Sequence, residues 1–324
     1  MTSPDDGPPA PPPGQAAIAF EPASFGVAAR GARAARVRSL TLVFERRLFE
    51  LLPSADEDTR LEASGIEIDG HHLLIVLDNL AQIARLPFRR EPFEVTPGTL
   101  VGPESLGIDG FEDLVLDTEG RRLLLLREAV AQGDGTFQAE IAEWDHRFAL
   151  QRSRTLPFAF EDVNKGFEGL ALIRRAGRQW LLALCEGNHC QGGKKGREPG
   201  GGRIHVFGEQ DGAWVLDRAL HLPVDVLFED YSGLAIDGDR VGVVSQTTSM
   251  LWVSHLAPDG WEWEGPSSLY EFPRKQSGEL LYSEIEGLAW LGPERIAVVS
   301  DRSKKEQTVD VAAKDQSIHV FDLG

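Results

Sequence analysis

Acidic side chains recur at matching places in short, similar stretches of the sequence. Glu112, Glu168 and Glu286 each stand near the start of an apolar run, while Glu186 and Asp301 each follow a second apolar run one turn later. If the two runs form a β-hairpin, its two open ends meet at one edge and bring these carboxylates together. Crowded carboxylates repel one another, and a hard divalent cation with oxygen ligands compensates them. We therefore predict a divalent cation site, with Ca²⁺ the most suitable ion; solvated turn residues are the alternative.

Two of these residues are also candidates for catalysis. Glu168 and Glu286 each stand in the sequence x-E-G-L-A, one residue before the glycine. A carboxylate beside a bound cation can act as a general base toward a water molecule that the cation activates. We interpret Glu168 and Glu286 as candidate catalytic residues as well as metal ligands.

Basic residues are concentrated in the loops that follow these hairpins. The segment 185–203, CEGNHCQGGKKGREPGGGR, carries Lys194, Lys195 and Arg197, and Arg302 follows the last hairpin. Cations above an acidic, metal-binding mouth would suit an anionic ligand such as a phosphate or a carboxylate. We predict that these four residues bind substrate; a solvated loop that balances the acidic charge is the alternative.

The chain has two cysteines, Cys185 and Cys190. So few cysteines predict no disulfide framework and no oxidising compartment. Together with His189 they could supply three zinc ligands, but the spacing matches no usual zinc site and no fourth ligand is near. We expect a loop histidine beside a buried cysteine.

A repeated pattern indicates which elements position these residues. Each copy is an apolar run, a turn containing Gly, Asp or Pro, and a second apolar run, and further apolar runs follow several copies, ending in Pro157, Pro223 and Pro273. The five copies occupy residues 63–79, 111–128, 167–187, 231–247 and 285–302. Four short strands per unit without helical periodicity are typical of a β-propeller. We predict an all-β propeller of five four-stranded blades, with six blades as the alternative.

The two ends of the sequence predict how the ring closes. The last unit stops after its third strand, SIHVFDL, and residues 40–52 end in the same apolar-Pro pattern as the fourth strands of other units. We predict that this N-terminal segment supplies the missing outer strand, because closure removes exposed sheet edges. Residues 36–324 then form a single domain, and residues 1–35, rich in Pro, Ala and Gly, form a disordered tail.

Composition limits the partners. The formal net charge of −18 opposes binding to nucleic acid or to an anionic membrane surface. No apolar run is long enough to span a membrane, and the N-terminal residues lack the pattern of a secretory signal. We expect a cytoplasmic protein, monomeric, whose partner is a small anionic molecule.

The repeated phrase resembles sequences of the phytase-like and SdiA-regulated-protein-like propellers. The resemblance covers about residues 55–324 and rests on FEGLA at 167–171, YSGLA at 231–235 and IEGLAW with VVSDR at 285–302. It implies calcium at an acidic channel mouth and basic residues that receive phosphate. The second copy departs from the pattern, with FEDL in place of x-E-G-L, and two copies carry Ser in place of Glu, which implies a partial metal site.

Two functions follow from these patterns. The first is a divalent-metal-dependent hydrolase of a phosphoester or related ester. The second is a non-catalytic propeller that binds a small ligand or a protein partner on the same face. Carboxylates close enough to share one ion would favour the first, and carboxylates individually paired with Arg or Lys would favour the second.

Overall fold

A computed structural model of the protein describes residues 37–104, 110–161, 165–302 and 307–324. Strands are the predominant secondary structure of these residues, which confirms the all-β prediction. The helices among them are single turns: α1 (Gly193–Gly196), α2 (Val309–Ala312) and two 3₁₀ turns (Leu48–Glu50 and Asn188–Cys190). No helix in the described part of the chain is long and apolar enough to cross a membrane. The predicted disordered tail, residues 1–35, lies outside the described residues.

The second and third repeats each form a four-stranded antiparallel sheet whose strands follow chain order. The second repeat contains β7 (Phe111–Asp117), β8 (Arg122–Ala131), β9 (Phe137–Asp145) and β10 (Leu150–Phe160). The third contains β11 (Phe167–Arg175), β12 (Arg178–Cys185), β13 (Arg203–Gln210) and β14 (Ala213–His221).

The first repeat forms a sheet in which a fourth strand is divided in two. It contains β2 (Ala63–Asp69), β3 (His72–Leu77), β4 (Ile83–Arg89), β5 (Glu94–Val95) and β6 (Thr99–Val101), and both β5 and β6 pair with β4.

The last two repeats join into one eight-stranded sheet. Its strands are β15 (Gly233–Asp237), β16 (Arg240–Ser245), β17 (Met250–Leu256), β18 (Trp263–Glu271), β19 (Ile285–Gly292), β20 (Arg295–Ser300), β21 (Ser317–Leu323) and the N-terminal β1 (Val37–Arg47).

Strand β1 completes the last repeat, as predicted. It pairs antiparallel with β21, from Leu40 opposite Leu323 to Arg47 opposite Ser317. Its first residues also pair in parallel with β18, beginning at Val37 opposite Leu269. The strand is shorter than the predicted segment 40–52, because it ends at Arg47 and the chain then turns in a 3₁₀ helix.

The first strands of the repeats lie side by side in a closed cycle. Strand β2 contacts β7, β7 contacts β11, β11 contacts β15, β15 contacts β19, and β19 contacts β2. The repeated glycine permits this close approach: a Cβ atom on Gly287 would lie 2.7 Å from the Gly65 Cα, and one on Gly233 would lie 2.5 Å from the Glu286 carbonyl oxygen. The glycine of the repeat is therefore a packing requirement of the inner strands.

Asp113 takes the place of that glycine in the second repeat. Its carboxylate accepts hydrogen bonds from the Leu114 amide (2.8 Å) and from the Leu170 amide on β11 (2.6 Å). The side chain therefore links two inner strands through backbone amides. The FEDL departure has a structural role between β7 and β11.

Candidate metal site at the acidic mouth

The predicted glutamates lie at irregularities of the inner strands. The pairing of β7 with β8 shifts between Phe111 and Asp113, at Glu112. The same shift occurs at Glu168 in β11 and near Glu286 in β19. A residue at such a bulge leaves the ladder and can aim its side chain differently from its neighbours. The local irregularity thus gives the three glutamates equivalent positions.

The acids that follow the second strands are held at the same end of their sheets. The amides of Asp78, Glu186 and Asp301 donate hydrogen bonds to the carbonyls of Glu62 (2.7 Å), Gly166 (3.1 Å) and Glu284 (2.9 Å), respectively. Each of these hairpins therefore presents acidic groups at its open end. We call the carboxylates at these ends the acidic mouth: Asp78, Glu112, Glu128, Glu168, Glu186, Glu286 and Asp301.

Three of these carboxylates lie close enough to share an ion. One oxygen from each of Glu128, Glu168 and Glu186 lies within 4.8 Å of the others. Two oxygens bound to one Ca²⁺ at about 2.4 Å each lie no more than ~4.8 Å apart, so these distances fit the ion. Glu168 and Glu186 were predicted ligands; Glu128 was not.

The remaining predicted ligands stand around this trio. Glu112 and Glu286 interact electrostatically with Glu168, and Asp301 interacts with Glu286. Asp78, at the end of β3, extends the acidic group. The mouth therefore contains more carboxylates than the three that already satisfy the distances for one ion.

Crowding changes the acidity of these groups. Burial, followed by repulsion from Glu128 and Asp78, raises the pKa of Glu112 to about 8. Burial and the neighbouring Glu62 raise the pKa of Asp78 to about 7, and burial raises the pKa of Asp301 to about 6. Burial and the surrounding carboxylates also raise the pKa of Glu168 and Glu286 well above the usual range. Without a cation, this mouth holds protons near neutral pH.

One lysine lies at the mouth and was not predicted. The Lys165 ammonium forms an ion pair with the Glu186 carboxylate. The amide of the next residue, Gly166, donates a 2.7 Å hydrogen bond to Glu128. Lys165 comes just before the third repeat, in a segment with no motif of its own, so no pattern in the sequence pointed to it.

Asn188 fixes the basic loop over the mouth. Its buried amide nitrogen donates to the carbonyls of Gly196 (3.0 Å), Phe228 (3.1 Å) and Glu229 (3.2 Å). Its side-chain oxygen accepts from the Gly201 amide and the Tyr231 hydroxyl, both at 2.9 Å. The loop therefore has a defined path despite its glycines.

The predicted basic residues are divided between different surroundings. Arg197 lines a cavity of about 260 Å³ that also contains Lys165 and Glu186. Lys195 lines a different cavity, and Lys194 is exposed in α1. Arg302 is exposed beside Asp301. Arg197 is thus the predicted basic residue that shares a cavity with one member of the trio, Glu186.

The two cysteines are joined to each other, contrary to the expectation that the chain forms no disulfides. Cys185 and Cys190 form a disulfide, which closes the start of the basic loop. Their separation in sequence gave no geometric signal, because the pairing depends on a turn at His189 and Cys190, both of which have positive φ angles (59° and 54°). His189, the predicted neighbour, is exposed; the histidine beside the sulfur atoms is His205 on β13.

Comparisons with known proteins show the fold. Neither a protein-family model nor a curated protein sequence matches the chain. The structure is similar to that of the PQQ-bound aldose sugar dehydrogenase of Streptomyces coelicolor, with a TM-score of 0.50 and 14% identity over 86% of this chain and 98% of that one. Glutaminyl cyclase of Myxococcus xanthus has a TM-score of 0.49 and 14% identity over 89% and 98% of the two chains. The calcium-binding protein regucalcin of Agrobacterium tumefaciens has a TM-score of 0.45 and 13% identity over 90% and 95%.

The chain has a β-propeller-like fold. The aldose sugar dehydrogenase is a propeller-like protein, and the cyclic contact of the inner strands of this chain agrees with that architecture. Identity this low transfers no activity, since propellers serve many functions.

Proposed function

We propose that the protein is a divalent-metal-dependent hydrolase of a phosphoester or a related ester, with its site at the acidic mouth. The observation that carries the proposal is the trio Glu128, Glu168 and Glu186, whose oxygens satisfy the spacing around one Ca²⁺ ion. We also propose that the ring has five blades, because the inner strands close their cycle through five contacts and β1 completes the last unit. We also propose that the protein is related to the phytase-like propellers and that it is cytoplasmic.

Different residues of the mouth would bind the metal ion and the substrate. The trio would hold the ion, with Glu112, Glu286 and Asp301 around it. A bound cation polarises a phosphoryl oxygen and makes a water more acidic. Glu168 or Glu286 would accept a proton from that water, since a carboxylate beside the ion gives up its own proton when the ion binds.

The substrate's anionic group would occupy the cavity next to the trio. Lys165 and Arg197 supply cations there, beside the carboxylates of Glu186, Glu229 and Asp230. Lys194, Lys195 and Arg302 would contact parts of the substrate outside this cavity. The two cations could form charge-assisted hydrogen bonds with an anionic group such as phosphate.

A second candidate is a non-catalytic binding site, and the Lys165–Glu186 ion pair favours it. A protein cation there already neutralises part of the acidic group. The two candidates predict opposite effects of Lys165→Met. If the mouth binds a metal ion, removing the competing ammonium should increase Ca²⁺ affinity; if Lys165 is the permanent counter-ion, the variant should lose stability and gain no affinity.

The test combines metal binding with turnover. Thermal unfolding is measured in EDTA and then with Ca²⁺, Mg²⁺, Mn²⁺ or Zn²⁺. An ion at one hundred times its dissociation constant stabilises by about 2.7 kcal/mol, which corresponds to a midpoint shift of roughly 4–5 °C in a domain of this size. Hydrolysis of p-nitrophenyl phosphate, inositol phosphates and lactones is then measured with the best ion.

Matched variants locate the site. Glu168→Gln and Glu286→Gln should lower turnover, and Glu168→Gln should also reduce the midpoint shift. Glu264→Gln, an exposed glutamate on β18, is the control and should change neither. Unchanged turnover in both mouth variants would refute the hydrolase proposal, and the absence of any midpoint shift would leave the binding candidate.

A further inference from the structure

A second cluster of metal-binding side chains lies at the foot of the basic loop, apart from the carboxylates. Cys185, Cys190 and His205 each offer one ligand atom, and these atoms lie within 4.8 Å of one another. In the structure the two sulfur atoms are joined as a disulfide. The histidine makes the arrangement more than a disulfide, because its ring nitrogen faces both sulfur atoms.

The sheet register brings Cys185 and His205 together. His205 on β13 lies opposite Ala183 on β12, and Cys185 is two residues beyond Ala183. Alternate residues of a strand point to the same face, so Cys185 and His205 share a face as diagonal neighbours. The left-handed turn at His189 and Cys190 then directs the second sulfur back toward this face.

The distances from the histidine already match those of a metal site. The His205 Nδ1 atom lies 3.6 Å from the Cys185 Sγ and 3.9 Å from the Cys190 Sγ. Zinc takes sulfur at about 2.3 Å and nitrogen at about 2.0 Å, which places a sulfur and a nitrogen ligand about 3.5–3.7 Å apart in tetrahedral or trigonal geometry. Only the two sulfur atoms need to separate.

The apolar surroundings of Cys185 and His205 favour a metal complex with no net charge. Cys185 is fully buried and His205 is 4% exposed. The rings of Phe158 and Phe167 flank the imidazole, with centroids 4.2 and 5.5 Å away. Burial lowers the pKa of His205 to about 4, so the imidazole is neutral and able to act as a ligand. Two thiolates and one Zn²⁺ sum to zero charge, which suits such a place.

We propose that the reduced protein binds one Zn²⁺ ion through Cys185, Cys190 and His205. A dithiol reductant transfers two electrons and two protons to the disulfide, which breaks into two thiols; zinc binding then releases the thiol protons to solvent. Water provides the fourth ligand from a cavity of about 760 Å³ that Cys190 borders. The disulfide and the zinc complex exclude each other, so the foot of the basic loop has two alternative cross-links.

The experiment compares zinc binding by the oxidised and the reduced full-length protein. The protein is reduced with a dithiol, desalted without oxygen, and titrated with Zn²⁺ against a chromophoric chelator. We expect one additional Zn²⁺ per chain after reduction, and Co²⁺ in its place should give a thiolate-to-metal charge-transfer absorption. Zinc that binds equally in both redox states belongs to the carboxylates, and finding only such zinc would overturn the proposal.

Variants distinguish the three ligands from their neighbours. Cys190→Ser and His205→Asn should weaken binding by more than the ~10–100-fold that changes outside the ligand shell produce. His189→Gln, one residue from Cys190 but exposed, and Glu168→Gln at the mouth should leave the additional zinc unchanged. If His205→Asn, shown by circular dichroism to be folded, binds zinc like the natural protein, the assigned ligand set is wrong.

Discussion

Replacing Glu112 by glutamine should stabilise the metal-free protein at high pH and have little effect at low pH. The pKa of Glu112 rises from 4.5 to about 8 on folding. For an acid with a raised pKa, the folded state is penalised as pH climbs from the ordinary pKa to the folded one. The penalty is absent below about pH 4.5 and complete above about pH 8. Glutamine has nearly the same shape and carries no charge, so it removes this penalty.

The size of the effect follows from the pKa. One pKa unit corresponds to about 1.36 kcal/mol, so the shift of Glu112 limits the penalty to about 5 kcal/mol. Glu112 is half-buried, and solvent screens part of the repulsion, which reduces the expected gain to about 2 kcal/mol. Urea unfolding in EDTA at pH 5 and pH 8.5 gives the free energy of unfolding at each pH.

Glu264→Gln should not alter stability at either pH. Saturating Ca²⁺ at pH 8.5 should cancel the advantage of Glu112→Gln, because the ion compensates the same repulsion. A gain of equal size at pH 5 and pH 8.5 would show that the substitution acts through packing, and no gain at pH 8.5 would refute the account of crowded carboxylates.

Three further predictions concern the scaffold. Asn188→Ala should reduce the free energy of unfolding in urea by on the order of 3 kcal/mol, because the side chain is hydrogen-bonded to five groups of the basic loop and its surroundings. The variant should also be cleaved faster by proteases in the basic loop. Unchanged cleavage would contradict the proposal that Asn188 holds this loop in place. Burial alone would raise the pKa of Glu45, but hydrogen bonds from His319 and Lys314 outweigh it and lower the pKa to about 2. Glu45→Gln should therefore reduce the free energy of unfolding by about 2 kcal/mol at pH 7. The difference from the natural protein should disappear as the pH falls through 2. Gly287→Ala should destabilise the protein by about 1–3 kcal/mol, because the new Cβ atom meets the backbone of β2. Gly292→Ala is the control and should not destabilise it, because the space around Gly292 is open. Equal effects of the two substitutions would argue against close contact between β19 and β2.

The repeat allowed the positions of the inner glutamates to be predicted, because each copy has the same strand, turn and strand. Glu112, Glu168 and Glu286 could be assigned to one end of the sheets without knowing any distance. Glu128 was not among the predicted ligands. In the structure β8 continues to Ala131, and its pairing shifts between Arg127 and Val130, next to Glu128. A single sequence does not reveal such a shift.

Contacts between distant segments explain the other differences. Asp113 departs from the x-E-G-L pattern by replacing its glycine, yet its carboxylate joins two inner strands. His205 lies on a different strand from the cysteines, and only the register of β12 and β13 brings them together. Lys165 stands outside every repeat. The pattern of apolar residues fixes the type of element, whereas the register, the turn angles and the side-chain partners depend on the assembled sheets.

The pairing of β1 also determines how the domain responds to tension. Leu40 lies opposite Leu323, so the beginning of the first strand adjoins the end of the last one. A force that pulls these two ends apart acts across the antiparallel pair at its outer end and separates its hydrogen bonds one after another. Because Val37–Ser39 also pair with β18, that short parallel pairing shares the load, and the other strands carry none until β1 has separated from both neighbours. Pulled from its ends, the domain should therefore yield first at low force at the ring closure, and single-molecule extension should record an early release the length of β1.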